Sequence, residues 1–262
     1  GFHYAFGVAI AAMLISLVIF LANKKSLPDP RQAQAAGTGS RIDPGEVRMA
    51  AKEVRQRIWA LIAVCAVVIF FWFSFHQNGL TLTYFAKDYT RLSIGSLGLS
   101  AEIFQSMNPF FVVFLTPLVL AFFGMMRARG KEPSTPAKIA IGMGIAAVAY
   151  VVMMLGSLGL SEAQRVTPFL LIGTYLILTV AELFISPLGI SFVSKVAPPQ
   201  YQGIMQGAWL GATAVGNQLL FIGAIFYETI PIWMTWGVFV AVCLISMTVM
   251  FAMLRWLNRI TK

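Results

Sequence analysis

The sequence predicts an all-α polytopic membrane protein with seven transmembrane helices, and three observations carry that reading. Hydrophobic residues fill 58% of the 262 positions and charged residues only 11%, a balance foreign to water-soluble domains. Seven apolar stretches, at about 4–22, 58–77, 101–126, 137–159, 167–194, 203–227 and 231–256, approach or exceed the ~20 residues that cross hydrocarbon. Of nineteen Lys and Arg, only Lys87, Arg91 and Arg165 fall outside the first, third and fifth connections and the tail. By the positive-inside rule, the 23–57 connection and the C-terminus are cytoplasmic. The net charge of +9 is thereby topological and calls for no nucleic acid.

The first span is already membrane-like, and the chain opens Gly-Phe-His with neither an initiator Met nor a signal-peptide pattern, so it reads as a piece of a longer polypeptide. Residues 23–57 begin with Pro, Gly, Ala and Gln and predict a flexible linker. Its end, GEVRMAAKEVRQR, has helical spacing and predicts a short interfacial helix opened by Asp43 or Gly45.

In the second span Trp72, His76, Gly79 and Thr83 fall near one face, and Gly79 after Gln77 and Asn78 is where the helix is expected to loosen. His76 reads either as an interhelical hydrogen-bonding residue or as a proton acceptor, since an unperturbed imidazole titrates near pH ~6.5. The third span sets Gln105 and Asn108 three apart on one face, and Pro109 and Pro117 predict two kinks bending a similar side. The fourth has no charge after Lys138 and reads as a peripheral, lipid-facing helix.

The fifth span, TYLILTVAELFISPLGISFVSKVAPP, carries one acid near its middle, Glu182. A carboxylate at that depth costs roughly 2.5–3.5 kcal/mol on insertion scales and marks a functional site by default. Tyr175, Thr179, Ser186 and Gly189 share its helix face, forming a polar or small stripe that suggests a solute path. The alternative is a Glu bonded to a neighbouring helix for structure alone. In the sixth span Gly203, Gly207 and Gly211 are spaced for close helix contact. Trp209, Thr213, Gly216 and Asn217 lie opposite, on a face available to line a cavity. The seventh has Trp233 and Trp236 at its outer end and Trp256 at its inner end, expected interface anchors.

Cys65 and Cys243 lack metal-ligand spacing and read as packing residues. His3 and His76 are the only histidines, an unsuitable pair of haem ligands. With no phosphate-binding loop, metal cluster or Ser/His/Asp set, the sequence argues against an enzyme and requires no metal or organic cofactor.

Four ordered blocks, FWFSFHQNGLTLTYFA, FQSMNPFFVVFLTPL, AELFISPLGISFVSKVAP and MQGAWLGATAVGNQL, resemble those of the proton-dependent oligopeptide transporters of the major facilitator superfamily. The resemblance covers nearly the whole chain and aligns its spans with the family's sixth to twelfth helices. It implies that residues 1–22 close an amino-terminal bundle, 23–57 link the bundles, and 58–262 form the carboxy-terminal six-helix bundle. It implies substrate contacts for Glu182, which would bind a free amino group, for Asn108 beside that group, and for Trp209 as a pocket wall. Trp72 and Gln77 would line the cavity, and Ser186 would join the Glu182 stripe. Pro187 and Gly189 would let the fifth span bend as the inner gate, and protons would be the coupling ion.

Two departures stand out. His76 occupies a position where most members have Glu, which leaves open whether the second span takes part in proton coupling beside Glu182. The 23–57 linker also has no room for the two extra helices that many bacterial members insert. The family's E-x-x-E-R block on the first helix is absent, so these residues are expected not to transport alone. The amino-terminal bundle would come from the same polypeptide or a second chain. The reading that results is half of a proton-coupled di/tripeptide symporter in the inner membrane. Alternatives are a relative moving an amino acid, nitrate or a glycoside, and a non-transporting scaffold or sensor. Glu182 speaks against an anion such as nitrate.

Overall fold

The structure, a computed structural model, describes residues 2–24, 51–161 and 164–260. It divides into two units, 1–50 and 51–262. Seven helical segments among the described residues are long and apolar enough to cross a membrane, and they coincide with the seven predicted spans. The first unit contributes α1 (Phe2–Asn23), an unbroken apolar helix. The expected opening of the interfacial helix at Asp43 or Gly45 lies outside the described residues.

The second unit begins with α2 (Ala51–Phe75), whose first turns carry Glu53 and Arg57 in an i,i+4 ion pair of 2.9 Å. Residues 51–57 thus continue into the second span as one helix instead of forming a separate one, because nothing between Ala51 and Phe75 interrupts the hydrogen-bond ladder. The helix narrows to a 3₁₀ turn at His76–Gly79 and resumes as α3 (Thr81–Tyr89). A small hairpin follows, β1 (Ser93–Ile94) with β2 (Leu97–Gly98), turning at Gly95 with φ +60°, where only Gly is free of a Cβ penalty.

After a 3₁₀ segment at Ala101–Ser106 come α4 (Met107–Ala128) and α5 (Thr135–Gly156). The fifth span is α6 (Pro168–Leu183) and α7 (Ser186–Val196), the sixth is α8 (Gln202–Gln218) and α9 (Leu220–Thr229), and the seventh is α10 (Ile232–Ile260). α5 packs chiefly against α10 and α6, α2 against α8 and α10, α4 against α6, and α7 against α8.

Four sequence expectations are overturned. α5 is a well-buried helix of the second unit, not a peripheral one: Ile139, Ala140, Met143, Ala146, Ala149, Tyr150 and Met153 are all fully covered. In a membrane, lipid and helix partners are equally apolar, so charge content cannot distinguish them; small residues that admit close contact are the better signal. Gly142 supplies it, since a Cβ there would stand 2.7 Å from Ile185 and 2.9 Å from Phe184.

The two faces of α8 are exchanged. Met205, Trp209, Ala212 and Gly216 form the buried face, whereas Gly203, Gly207 and Gly211 are exposed with open space where a Cβ would be. Gly216 is the glycine that lets helices close, meeting the α2 backbone at Ile69 and Phe73. Trp236 is no interface anchor either. It is fully buried and donates from its indole to Ser157 Oγ at 3.1 Å, because its face of α10 turns toward α5. Finally, only Pro117 lies inside α4. Pro109 sits in the first turn, directly after the 3₁₀ segment, where a missing N–H is tolerated, and so not at an interior kink position.

Candidate functional site

Glu182 is the penultimate residue of α6, half-buried and facing α4. Asn108, in the first turn of α4, donates from Nδ2 to Glu182 Oε2 at 2.9 Å and to Thr179 Oγ1 at 3.2 Å. Thr179 in turn donates to the Tyr175 carbonyl at 2.7 Å. The polar stripe read from the sequence is therefore a connected set: Tyr175, Thr179, Glu182 and, from another helix, Asn108.

Among the described residues, no Lys or Arg forms an ion pair with Glu182; the ion pairs there join Arg57 to Glu53, and Arg127 and Lys138 to Glu132. The C-terminal carbonyls of α6 add partial negative charge at the same place. An unpaired carboxylate, an amide and a helix C-terminus together favour a cation that donates hydrogen bonds, such as an ammonium.

The helix ends here for a stated reason. Pro187 has no N–H for the Leu183 carbonyl four residues earlier, and the last α6 turn tightens, with Ile185 N–H on the Glu182 carbonyl at 2.9 Å. Pro187 is the second residue of α7 and is exposed. Gly189 lies inside the regular α7 helix, where the Trp209 ring occupies the space that a Cβ would take. The break is thus at Phe184–Ile185, and Gly189 serves as the seat for Trp209. Trp209 is 2% exposed, packed on that glycine instead of facing an open pocket. Ser186 stands at the first position of α7, half-buried, just across the break from Glu182.

The second-span residues occupy another part of the bundle. Tyr175 Oη donates to the Asn78 carbonyl at 2.5 Å, which fixes the 3₁₀ turn beside α6 two turns from Glu182, about 10 Å along the helix. His76 lies 3.1 Å through Nδ1 from the Trp72 carbonyl and stacks on the Trp72 ring at 4.9 Å. A carbonyl only accepts, so Nδ1 carries the proton and Nε2 of the neutral ring is left as an acceptor. Trp72 is buried, and its indole N–H finds no partner among the described residues. Gln77 is wholly buried, not lining an opening: it accepts from Thr81, donates to the Leu220 carbonyl at 3.4 Å and fills the notch left by Gly223.

The structure therefore brings together Glu182, Asn108 and Thr179, leaves Ser186 across the break from them, and sets Trp72, His76 and Gln77 around a separate corner. Several contacts were not read from the sequence, although Gln105 was placed there on one face with Asn108. Tyr150 Oη caps the Ser74 carbonyl, and Gln105 Nε2 reaches the Gly79 carbonyl at 3.1 Å and Thr83 Oγ1 at 2.9 Å. At the α4–α5 connection Glu132 takes two bonds from Arg127, at 2.6 and 3.0 Å, and one from the buried Lys138. These two cations hold its carboxyl down at about 2. A lone polar residue within an apolar helix was the available signal for Tyr150, but it names no partner.

Comparisons with known proteins identify relatives and a family. The chain is 26% identical over 284 residues to an uncharacterized transporter, YclF, of Bacillus subtilis, covering 90% of this chain and 57% of that one. It is 25% identical over 314 residues to dipeptide and tripeptide permease B of Xenorhabdus bovienii, covering 100% and 64%. Over 163 residues it is 31% identical to dipeptide and tripeptide permease A of Escherichia coli, covering 62% and 32%. The chain thus spans about half to two thirds of the length of its long-matching curated relatives.

Among solved structures, peptide transporter POT in complex with sulfate superposes with a TM-score of 0.74 at 24% identity, covering 98% of this chain and 53% of that one. A POT family transporter in complex with 5-aminolevulinic acid gives 0.69 at 20%, covering 100% and 54%. The fold is accordingly that of part of a major facilitator protein. A family model described as the POT family matches residues 32–237, most of the chain and every residue of the Glu182–Asn108 site, so the chain belongs to the POT family.

Proposed function

We propose that this chain is the carboxy-terminal half of a proton-coupled di/tripeptide symporter that works by alternating access between two six-helix bundles. The observation that carries the proposal is the Glu182–Asn108 pair, a half-buried carboxylate with no ion partner among the described residues. A desolvated carboxylate gains most from a matching ammonium brought by the ligand, and a peptide's amino end is such a group. The peptide permeases among the relatives support that substrate class.

The complementary bundle would come from elsewhere on the same polypeptide or from a second chain, as the fraction of its relatives' length supports. Protons are the coupling ion we propose, with Glu182 and His76 as the residues to test, and no metal or organic cofactor is required. The division into 1–22, 23–57 and 58–262 belongs to the same reading. So does a cell-membrane location with the 23–57 connection and the C-terminus in the cytoplasm, supported by the distribution of Lys and Arg. The break at Phe184–Ile185 before Pro187 is the proposed inner gate.

A second reading has a specific observation in its favour. The described site provides for an ammonium but for no peptide bond, and a POT family transporter has been seen with 5-aminolevulinic acid. A small amino compound would satisfy the same pair.

The test is uptake of labelled dialanine by the full-length protein in liposomes under an inward proton gradient. The proposal expects gradient-driven uptake that Glu182→Gln abolishes, with His76→Gln reporting the contribution of the second span to coupling. A folded wild type that takes up 5-aminolevulinic acid but no dialanine would favour the second reading. Uptake of neither would refute both.

A further inference from the structure

We infer that Thr179 is a positioning residue that fixes the orientation of the Asn108 amide and thereby makes the site selective for a donor-rich cation. The inference rests on the reading of Glu182 and Asn108 as an ammonium site.

The argument is one of proton counting. Thr179 Oγ1 lies 2.7 Å from the Tyr175 carbonyl, which can only accept, so the single hydroxyl proton is committed there. Toward Asn108, 3.2 Å away, the hydroxyl presents only lone pairs. Glu182 Oε2, at 2.9 Å, also presents lone pairs when ionised. The two N–H bonds of Asn108 Nδ2 therefore each have an acceptor. A flipped amide would set its oxygen against both a carboxylate and a hydroxyl with no proton to give.

With the amide held this way, Asn108 Oδ1 and Glu182 Oε1 accept no hydrogen bond from the described residues and are left to a ligand. Two acceptors, one of them charged, suit an ammonium and disfavour a neutral acyl end. The helical spacing of Tyr175 and Thr179 builds this device from one turn: the i−4 hydroxyl bond, ordinarily a minor feature of apolar helices, here turns a residue able to donate or accept into a pure acceptor. Without the hydroxyl, the amide is held by Glu182 alone and one of its N–H groups, having lost its acceptor, can turn to the ligand, so discrimination falls.

The test compares Thr179→Val, which keeps the shape, with Thr179→Ser, which keeps the hydroxyl, in the full-length protein. Labelled dialanine uptake gives KM and Vmax, and competition by unlabelled dialanine and by propionyl-alanine, which lacks the ammonium, gives selectivity. Thr179→Val is expected to raise KM about tenfold with Vmax little changed and to narrow the selectivity for dialanine by about tenfold, the worth of one well-placed hydrogen bond. Thr179→Ser should restore both. Wild-type KM and selectivity in Thr179→Val, or equal damage in Thr179→Ser, would overturn the assignment.

An infrared measurement in detergent separates this inference from the transport reading. The carboxylate stretch assigned by subtraction of Glu182→Gln should shift in Thr179→Val and return in Thr179→Ser, whether or not dialanine is carried. An unshifted band overturns the inference even where transport succeeds. Should Thr179→Val fail to fold, Thr179→Ala takes its place with the same expectations.

Discussion

Among the interrupted spans, the second and the fifth have breaks that are built differently. In the second span, the turn at His76–Gly79 is closed by side chains from three other segments: Tyr150 on the Ser74 carbonyl, Tyr175 on the Asn78 carbonyl and Gln105 on the Gly79 carbonyl. In the fifth, the break at Phe184–Ile185 has apolar neighbours, with Phe184 edge-on to Phe123 at 4.9 Å and Gly142 closing on Ile185. Among the described residues, no side-chain hydrogen bond falls on the carbonyls from Ala181 to Ile185. Where irregular backbone meets hydrocarbon, its polar groups need partners, and a set of specific partners resists motion more than apolar contact does. The first break reads as a fixed corner and the second as the pivot of the proposed gate.

The sharpest way to break this contrast is at Gln77. Gln77→Leu leaves the Thr81 hydroxyl and the Leu220 carbonyl buried beside an apolar chain, and unmet buried polar groups cost about 1–3 kcal/mol each. A loss of about 2–3 kcal/mol is expected from unfolding in mixed micelles. Gly142→Ala comes next, because its Cβ would meet Ile185, Phe184 and the Ala181 carbonyl at 2.7, 2.9 and 3.0 Å. Overpacking of this kind costs about 1–3 kcal/mol. Since the displaced residues are the break itself, dialanine uptake should fall further than that stability loss would explain.

Removing one cap from the fixed corner is milder. Tyr175→Phe or Tyr150→Phe deletes a single interhelical hydrogen bond, and such bonds in membranes average about 0.6 kcal/mol with a maximum near 1.7. The double variant should exceed the sum of the singles if the caps hold one turn together, a comparison that a double-mutant cycle makes directly.

The smallest effect is outside the membrane. The Glu132 carboxyl is held at about 2 by Arg127 and Lys138, below its unfolded range near ~4.3. A folded value below the unfolded one gives stability that is present above the unfolded value and lost as pH falls toward about 2. Melting temperature should therefore decline between pH ~4.5 and ~2, and Glu132→Gln should flatten that part of the profile. A flat wild-type profile would show that this connection does not steady α4 and α5.

The contrast also explains what was legible in the sequence. Spans were legible because hydrocarbon thickness sets their length, and Glu182 because an acid among apolar residues has few structural explanations. Both breaks had local causes that could be read: Gly79 after Gln77 and Asn78, and Pro187. Helix environment was not legible, as α5 and α8 show, because lipid and protein are equally apolar partners. Direction was lost as well: Thr179 lay on the stripe, but which atom gives its proton to which depends on Asn108, seventy-one residues earlier.

The most direct measurement places spin labels in pairs across each break of the full-length protein and records their distances with and without dialanine. Labels at Ile172 and Ser191 would straddle the fifth-span break, and labels at Ile62 and Tyr84 the second-span corner. The account predicts a ligand-dependent change of several ångströms across Phe184–Ile185 and an unchanged distance across His76–Gly79. Motion at the corner with a static fifth span, in a sample that binds dialanine, would contradict it.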